Sequence, residues 1–264
     1  VVFAFACALS LGWLNGWLVI KTGLPSFIVT LAFFFILRGL SLAVAVLLTG
    51  KTILSSSGDI VLQEAMLADP VVSALFHGHV LTGLFDSLAA AGWMAARDDG
   101  TALAIGVPKV VVWWFLLTAA GAFVLARTRA GNWILAVGGD ANAAKNVGIP
   151  VARVKIGLFM FTAFCATLFA VLQVADAGSA AADRGLQKEF EAIIAAVIGG
   201  CLLTGGYGSV IGAAFGALIF GMVQIGIGYT SIDNNWYRVF LGVMLLAAVL
   251  FNNYIRRRFA MGRL

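Results

Sequence analysis

Few side chains in this 264-residue chain could do chemistry, and most arrangements that suggest it fail on spacing. Gly50-Lys51-Thr52 has the ending of a phosphate-binding loop, whose backbone would cradle phosphates and whose lysine would reach them. The earlier glycine position is Ala45, however, and the stretch leaves an apolar run rather than a strand, so it is no nucleotide site. Cys7, Cys165 and Cys201 fall in three separate apolar runs without CxxC spacing and read as small buried hydrophobes. His77-Gly-His79 supplies two imidazoles without a nearby third ligand. No catalytic residue, metal site or cofactor site is expected in this chain. What remains is polar groups inside apolar runs. Arg38 lies near the middle of one, where an ionisable group is costly and counts as functional by default; its structural alternative is capture by backbone carbonyls. Asn15, Gln173 and Gln224 are, with Arg38, the candidates for lining a polar path. Glu189 and Glu191 flank a helix start, where the helix dipole accounts for them.

The elements that must position these groups are helices in a membrane. With 62% hydrophobic and 11% charged residues and a mean hydropathy of +1.02, the chain has too little polar surface to cover a soluble globule. Apolar runs lie at 1–20, 27–48, 110–126, 156–175, 190–203, 210–228 and 239–251. Most approach the ~20 residues that a spanning helix needs, and the shortest can borrow flanking residues, 190–203 extending to Tyr207. The expected fold is an all-α polytopic membrane protein with about seven transmembrane helices in this sequence.

Charge sets the orientation, because Lys and Arg are retained on the cytoplasmic side. With the C-terminus inside, the inner segments hold Lys21, Arg127, Arg129, Lys145, Arg153, Lys155, Arg256, Arg257, Arg258 and Arg263 against one acid, Asp140. The outer segments then receive Asp59, Glu64, Asp69, Asp98, Asp99, Asp183 and Asp233. The net charge of +5 is therefore topology rather than affinity for nucleic acid. An odd span count places Val1 outside, and the chain opens without an initiating Met, which suggests an N-terminally truncated sequence. Residues 49–109 form a long outer loop, and its weakly apolar stretch 71–96 is expected to lie on the surface rather than to span.

Between two apolar runs lies the basic, Gly-punctuated segment 131–155, GNWILAVGGDANAAKNVGIPVARVK, within an inner loop 127–155. Its centre follows the rules for a short helix: Asp140 caps it, 141–147 favour it, Lys145 sits in the last turn, and Gly148 with Pro150 ends it. Such a stub, about 10 Å long, is marginal alone and needs something to pack on, as a docking loop or as an ordinary interfacial connector. Residues 189–228 read as a Gly/Ala-rich helical hairpin turning at 204–209, with Ser209 capping its second helix. Small residues recur there at four-residue spacing: Ala192, Ala196 and Gly200; Gly212 and Gly216; Ala213, Ala217 and Gly221. Rows like these let helix backbones approach closely.

Three stretches together carry a resemblance. Pro25-Ser-Phe-Ile-Val-Thr-Leu31 with Arg38-Gly39, Ala136-Val-Gly-Gly-Asp140 through Gly148-Ile149, and Ala195-Ala-Val-Ile-Gly-Gly200 followed by Gly205-Gly206-Tyr-Gly-Ser209 and Gly212 through Ile219 are similar to motifs of the membrane permease of bacterial ribose/xylose-type sugar ABC importers. The resemblance covers nearly the whole chain. It implies a permease of roughly ten helices in the bacterial inner membrane, of which this sequence is a fragment. It implies a separate ABC ATPase that holds ATP and Mg, a periplasmic substrate-binding protein, and a second permease copy in a homodimer or a related heterodimer, all in membrane lipid. The family's Asp-Leu-Ser-Val-Gly-Ser segment is absent here. On this reading Asp140, Ala141, Asn142, Ala143, Ala144, Lys145 and Gly148 couple to the ATPase, and loop 49–109 with segment 176–189 receives the binding protein. The cargo would be a neutral sugar or polyol, with amino acids or other small polar solutes as the alternative. An ion-coupled secondary transporter would need intramembrane carboxylates or broken helices, and a proton-pump subunit a chain of buried ionisable groups.

Overall fold

The computed structural model describes residues 1–50, 53–55, 70–93, 95, 102, 106–177, 179–181, 185–229 and 234–261. Lys51 and Thr52 of the phosphate-loop look-alike, the outer acids Asp59, Glu64, Asp69, Asp98, Asp99, Asp183 and Asp233, and Arg263 lie outside these residues.

Among the described residues the chain is all-α apart from two short ladders and an isolated bridge residue, Ala102. In order it forms α1 (Val2–Thr22), α2 (Ser26–Thr49), β1 (Ile53–Ser55), α3 (Pro70–Phe76), β2 (His79–Val80), α4 (Thr82–Ala90), β3 (Val107–Pro108) and α5 (Lys109–Arg127). There follow α6 (Arg129–Gly139), α7 (Ala141–Asn146), α8 (Val151–Ala177), β4 (Ser179–Ala181), α9 (Lys188–Ile198), α10 (Val210–Tyr229) and α11 (Asn234–Met261). Each of the seven apolar runs contributes to a helix. Five of these, α1, α2, α5, α8 and α10, are long and apolar enough to cross a membrane, and α11 carries the shorter apolar stretch Val239–Phe251. The run 190–203 departs from expectation: α9 has 11 residues, about 16 Å, and does not extend to Tyr207. Its end is set by backbone geometry, because Gly200 takes a left-handed φ of 84° and the following chain closes a loop through Leu202 N–H to the Tyr207 carbonyl at 3.0 Å.

Two compact units share the chain, one of 1–116 and 155–184, the other of 117–154 and 185–264. In the first, α1 packs on α8 through Gly12 and Gly16, where an added Cβ would fall 2.9 Å from the Cα of Met160 and of Ile156. Phe5 meets Phe164 at 5.1 Å between ring centroids. The end of this unit bearing α3 and the strands is tied by polar contacts: β1 pairs antiparallel with β4 (Ile53 opposite Ala181), and β2 with β3. Trp113 Nε1 donates to the Leu75 carbonyl at 3.0 Å, and Lys109 Nζ to the Ser73 carbonyl at 3.0 Å. His77 Nδ1 lies 2.8 Å from the Ala175 carbonyl, so this imidazole ties α3's end to α8. In the second unit the core is Ile194, Ala195, Phe220 and Leu241 from α9, α10 and α11.

Candidate coupling site and translocation path

The coupling candidate starts one residue after α5, at Thr128, whose backbone is extended. Thr128 caps α6 by accepting from Gly131 N–H at 3.3 Å, and Gly131 sits against the Leu125 carbonyl, where a side chain would not fit. The first half of segment 131–155 is therefore helix, which its glycines obscured. One residue, Asp140, separates α6 from α7. Its carboxylate accepts from Asn142 N–H at 2.8 Å and Ala143 N–H at 3.1 Å, satisfying two of the N–H groups that a helix start leaves free. At the other end, Gly148 at φ 83° lets Gly148 N–H reach the Lys145 carbonyl and Ile149 N–H the Ala144 carbonyl, both at 3.0 Å.

The residues of α7 divide by exposure. Ala144 is 3% exposed and anchors α7 to its own chain, whereas Val147 is 76% exposed. Helical spacing would put Ala141, Ala144 and Val147 on one stripe, but Val147 follows the last helical turn and is exposed while Ala144 is buried. Asn142, Ala143, Lys145 and Gly148 are exposed and Ala141 is half-buried. A partner could touch those exposed residues; Ala144 can act only by holding them in place.

In the hairpin, close approach occurs one residue away from the row read from sequence. Gly199 sits against the Gly212 carbonyl and Ala213 Cα, and Gly216 against the Ala195 carbonyl and Gly199 N. Gly212 and Gly216 are therefore in the contact, paired with Ala195 and Gly199. Ala192 and Gly200 are exposed, Ala196 is half-buried, and a Cβ on Gly200 or Gly221 would meet nothing within 4 Å among the described residues. The sequence holds several overlapping four-residue spacings, and only the face of α9 turned to α10 selects among them. Ser209 caps α10 through Gly212 N–H at 3.3 Å. A further missed pair is Gly12 and Gly16, whose GxxxG spacing was a readable signal.

The path candidates do not share one unit: Asn15, Arg38 and Gln173 lie in the first, Gln224 in the second. Asn15 Oδ1 is buried without a hydrogen-bond partner among the described residues, between the two glycines that bring α1 onto α8. Arg38 and Gln173 are half-buried on α2 and α8. Gln224 hydrogen-bonds Tyr237, whose hydroxyl donates to Glu191 Oε1 at 3.0 Å. Glu191 Oε2 also pairs with Lys188 Nζ at 2.6 Å. The helix dipole was thus an incomplete account of Glu191, which joins α9 to α10 and α11.

Comparison with known proteins places these features. The family model described as "Branched-chain amino acid transport system / permease component" matches residues 1–249. The xylose transport system permease protein XylH of Escherichia coli K12 is 28% identical over 289 residues, covering 98% of this chain and 71% of the relative. XylH of Haemophilus influenzae is 30% identical over 274 residues, 94% of this chain and 72% of the relative. The ribose import permease protein RbsC of Escherichia coli K12 is 28% identical over 253 residues, 96% of this chain and 68% of the relative. No solved structure matches the chain significantly.

Proposed function

Because the chain belongs to the permease-component family of branched-chain amino acid transport systems, we propose that it is the membrane permease subunit of an ATP-driven importer and passes a neutral sugar or polyol. The carrying observation is the similarity, over nearly the whole chain, to relatives named for xylose and ribose transport. A pentose offers only hydroxyl and ring oxygens, and the candidate path residues Asn15, Gln173 and Gln224 are neutral amides that suit such a cargo.

The protein is a transport subunit, and ATP hydrolysis belongs to a separate ABC ATPase that binds ATP and Mg. Its docking contact is the exposed side of α7 and the following turn, with Asn142, Ala143, Lys145 and Val147 outward and Asp140 and Ala144 holding them. On the opposite side of the membrane, a substrate-binding protein settles on loop 49–109 and segment 176–189, which meet where β1 (Ile53–Ser55) pairs with β4 (Ser179–Ala181). The permease works as a pair with a second copy in the inner membrane, its C-terminus cytoplasmic. Apolar side chains such as Phe35, Leu47, Phe215 and Met222 are exposed and suit lipid or that copy.

The family's description favours one second reading, import of a branched-chain amino acid. Both are tested by purifying the full-length permease from native membranes, identifying what accompanies it, and measuring ATP-dependent uptake of labelled pentoses and of leucine in liposomes. A co-purifying ATPase with pentose uptake upholds the proposal. Leucine uptake selects the second reading, and ATP-independent, ion-driven uptake by the permease alone overturns both.

A further inference from the structure

Resting on that reading, we infer that Gly138 and Gly139 of α6 and Gly205 and Gly206 of the hairpin loop form a rigid joint, which makes the coupling element and the α9–α10 hairpin a single lever. ATP-driven displacement at α7 is thereby delivered to α9.

The contact is reciprocal, and the nearest atoms at Gly138, Gly205 and Gly206 are all main chain. A Cβ on Gly138 would fall 2.5 Å from Gly206 N and 3.3 Å from its Cα; one on Gly205 would fall 2.8 Å from the Gly138 carbonyl, and one on Gly206 2.7 Å from Gly139 Cα. Gly205 and Gly206 also hold left-handed φ values of 85° and 80°, which other residues adopt only with strain. No flexible side chain separates the two segments, so nothing at the contact can absorb a displacement by changing rotamer. Packed surfaces of this kind shift as blocks rather than deform continuously.

Both arms of the lever are stiff. On the coupling side, Asp140 N–H bonds the Ala136 carbonyl at 3.1 Å while its carboxylate caps α7, so α6 and α7 are joined without a loop. On the hairpin side, the loop is cross-tied by Leu202 N–H to the Tyr207 carbonyl and Gly205 N–H to the Leu202 carbonyl, both at 3.0 Å. Beyond it, Gly199 and Gly216 lock α9 on α10. In the first turn of α9, about 10 Å along the axis from its end at Ile198, Glu191 binds Tyr237 of α11, which Gln224 of α10 also bonds. A short helix held at its inner end by the coupling element and at its other end by a polar clamp is suited to gate a path.

The test uses the assembled complex with its ATPase in liposomes. Spin labels are introduced as unnatural amino acids at the exposed positions Asn132 and Tyr207, and their separation is read with and without bound ATP. In parallel, Gly138→Ala is compared with Gly157→Ala, whose Cβ meets nothing within 4 Å. The expected result is a label separation constant to within about 2 Å, the scale that divides unchanged from rearranged interfaces. Gly138→Ala should keep the ATPase bound and hydrolysing ATP while uptake falls about tenfold, a usual size for coupling between sites; Gly157→Ala transports normally. A larger change in separation, or normal uptake by Gly138→Ala, overturns the lever. If Gly138→Ala does not assemble, the label separation in the unsubstituted joint decides alone. A permease that never binds an ATPase refutes the proposed function rather than the joint.

Discussion

Replacing Asp140 with alanine removes the side-chain cap of a six-residue helix that has little else to sustain it. Two hydrogen bonds disappear, from Asn142 N–H at 2.8 Å and Ala143 N–H at 3.1 Å. Loss of a cap costs about 1 kcal/mol and at most about 2. That reduces the ratio of formed to frayed α7 roughly 5- to 30-fold. Ala144, buried at 3% exposure, tethers the segment in either state and keeps the effect local. The permease should therefore reach the membrane in normal amount, while uptake per molecule falls about fivefold where the formed helix is what the ATPase engages. Asp140→Asn is the informative companion, because asparagine caps about as well as aspartate, and uptake should stay within about twofold of the original. The assay is initial uptake of labelled substrate in cells, normalised to permease in the membrane fraction. Equal uptake by Asp140→Ala and the original protein refutes the reasoning. So does an Asp140→Asn variant as impaired as Asp140→Ala, since the charge and not the cap would then be at work.

Other substitutions probe separate links. Val147→Glu, at a residue 76% exposed, should leave the melting temperature of the isolated permease unchanged but, on the proposed docking of α7, prevent co-purification of the ATPase. Gly216→Ala drives a methyl into the Ala195 carbonyl and should destabilise the detergent-solubilised protein by about 1–3 kcal/mol, read as a lower melting temperature; Gly226→Ala, in open space, should not. Tyr237→Phe removes the donor to Glu191 and should cost about 1.5–3 kcal/mol, with Glu191→Gln and the double variant showing strong non-additivity in the same melting assay. Asn15→Leu abolishes a buried, unpartnered oxygen and so should hold or raise the melting temperature, while lowering uptake if that amide meets the cargo.

What the sequence disclosed was whatever is encoded locally. Composition and run length gave helices in a membrane, and the Asp140 to Gly148 helix was readable to its caps because cap chemistry acts within three or four residues. What it withheld depends on facing surfaces. Helix α6 was hidden because Gly131, Gly138 and Gly139 are poor helix formers, tolerated here because each sits against backbone or beside it. The packing row of α9 was misplaced by one residue, from Gly200 to Gly199, since only the partner helix distinguishes them. The bond from Tyr237 to Glu191 spans 46 positions, beyond the reach of any local rule.

The short α9 also bears on how the chain tolerates its acids. Lys188, Glu189 and Glu191 open a helix of 11 residues, too short to cross a ~30 Å hydrocarbon core by itself. Had the run 190–203 formed a full span to Tyr207, the same carboxylates would mark only the span's first turn and need no partner. Glu191 instead has its two oxygens occupied, by Tyr237 and by Lys188, and its side chain is only 14% exposed. A largely buried carboxylate held this way is stable while both partners stay and costly once either leaves. Any movement of α9 that parts Glu191 from Tyr237 must therefore be driven, and the glycine joint at the other end of α9 is where the structure offers a drive. Uptake that proceeds normally with Glu191 and Tyr237 replaced by a covalent cross-link would show that these two residues never separate, and would confine any gating movement to the end of α9 next to the glycine joint.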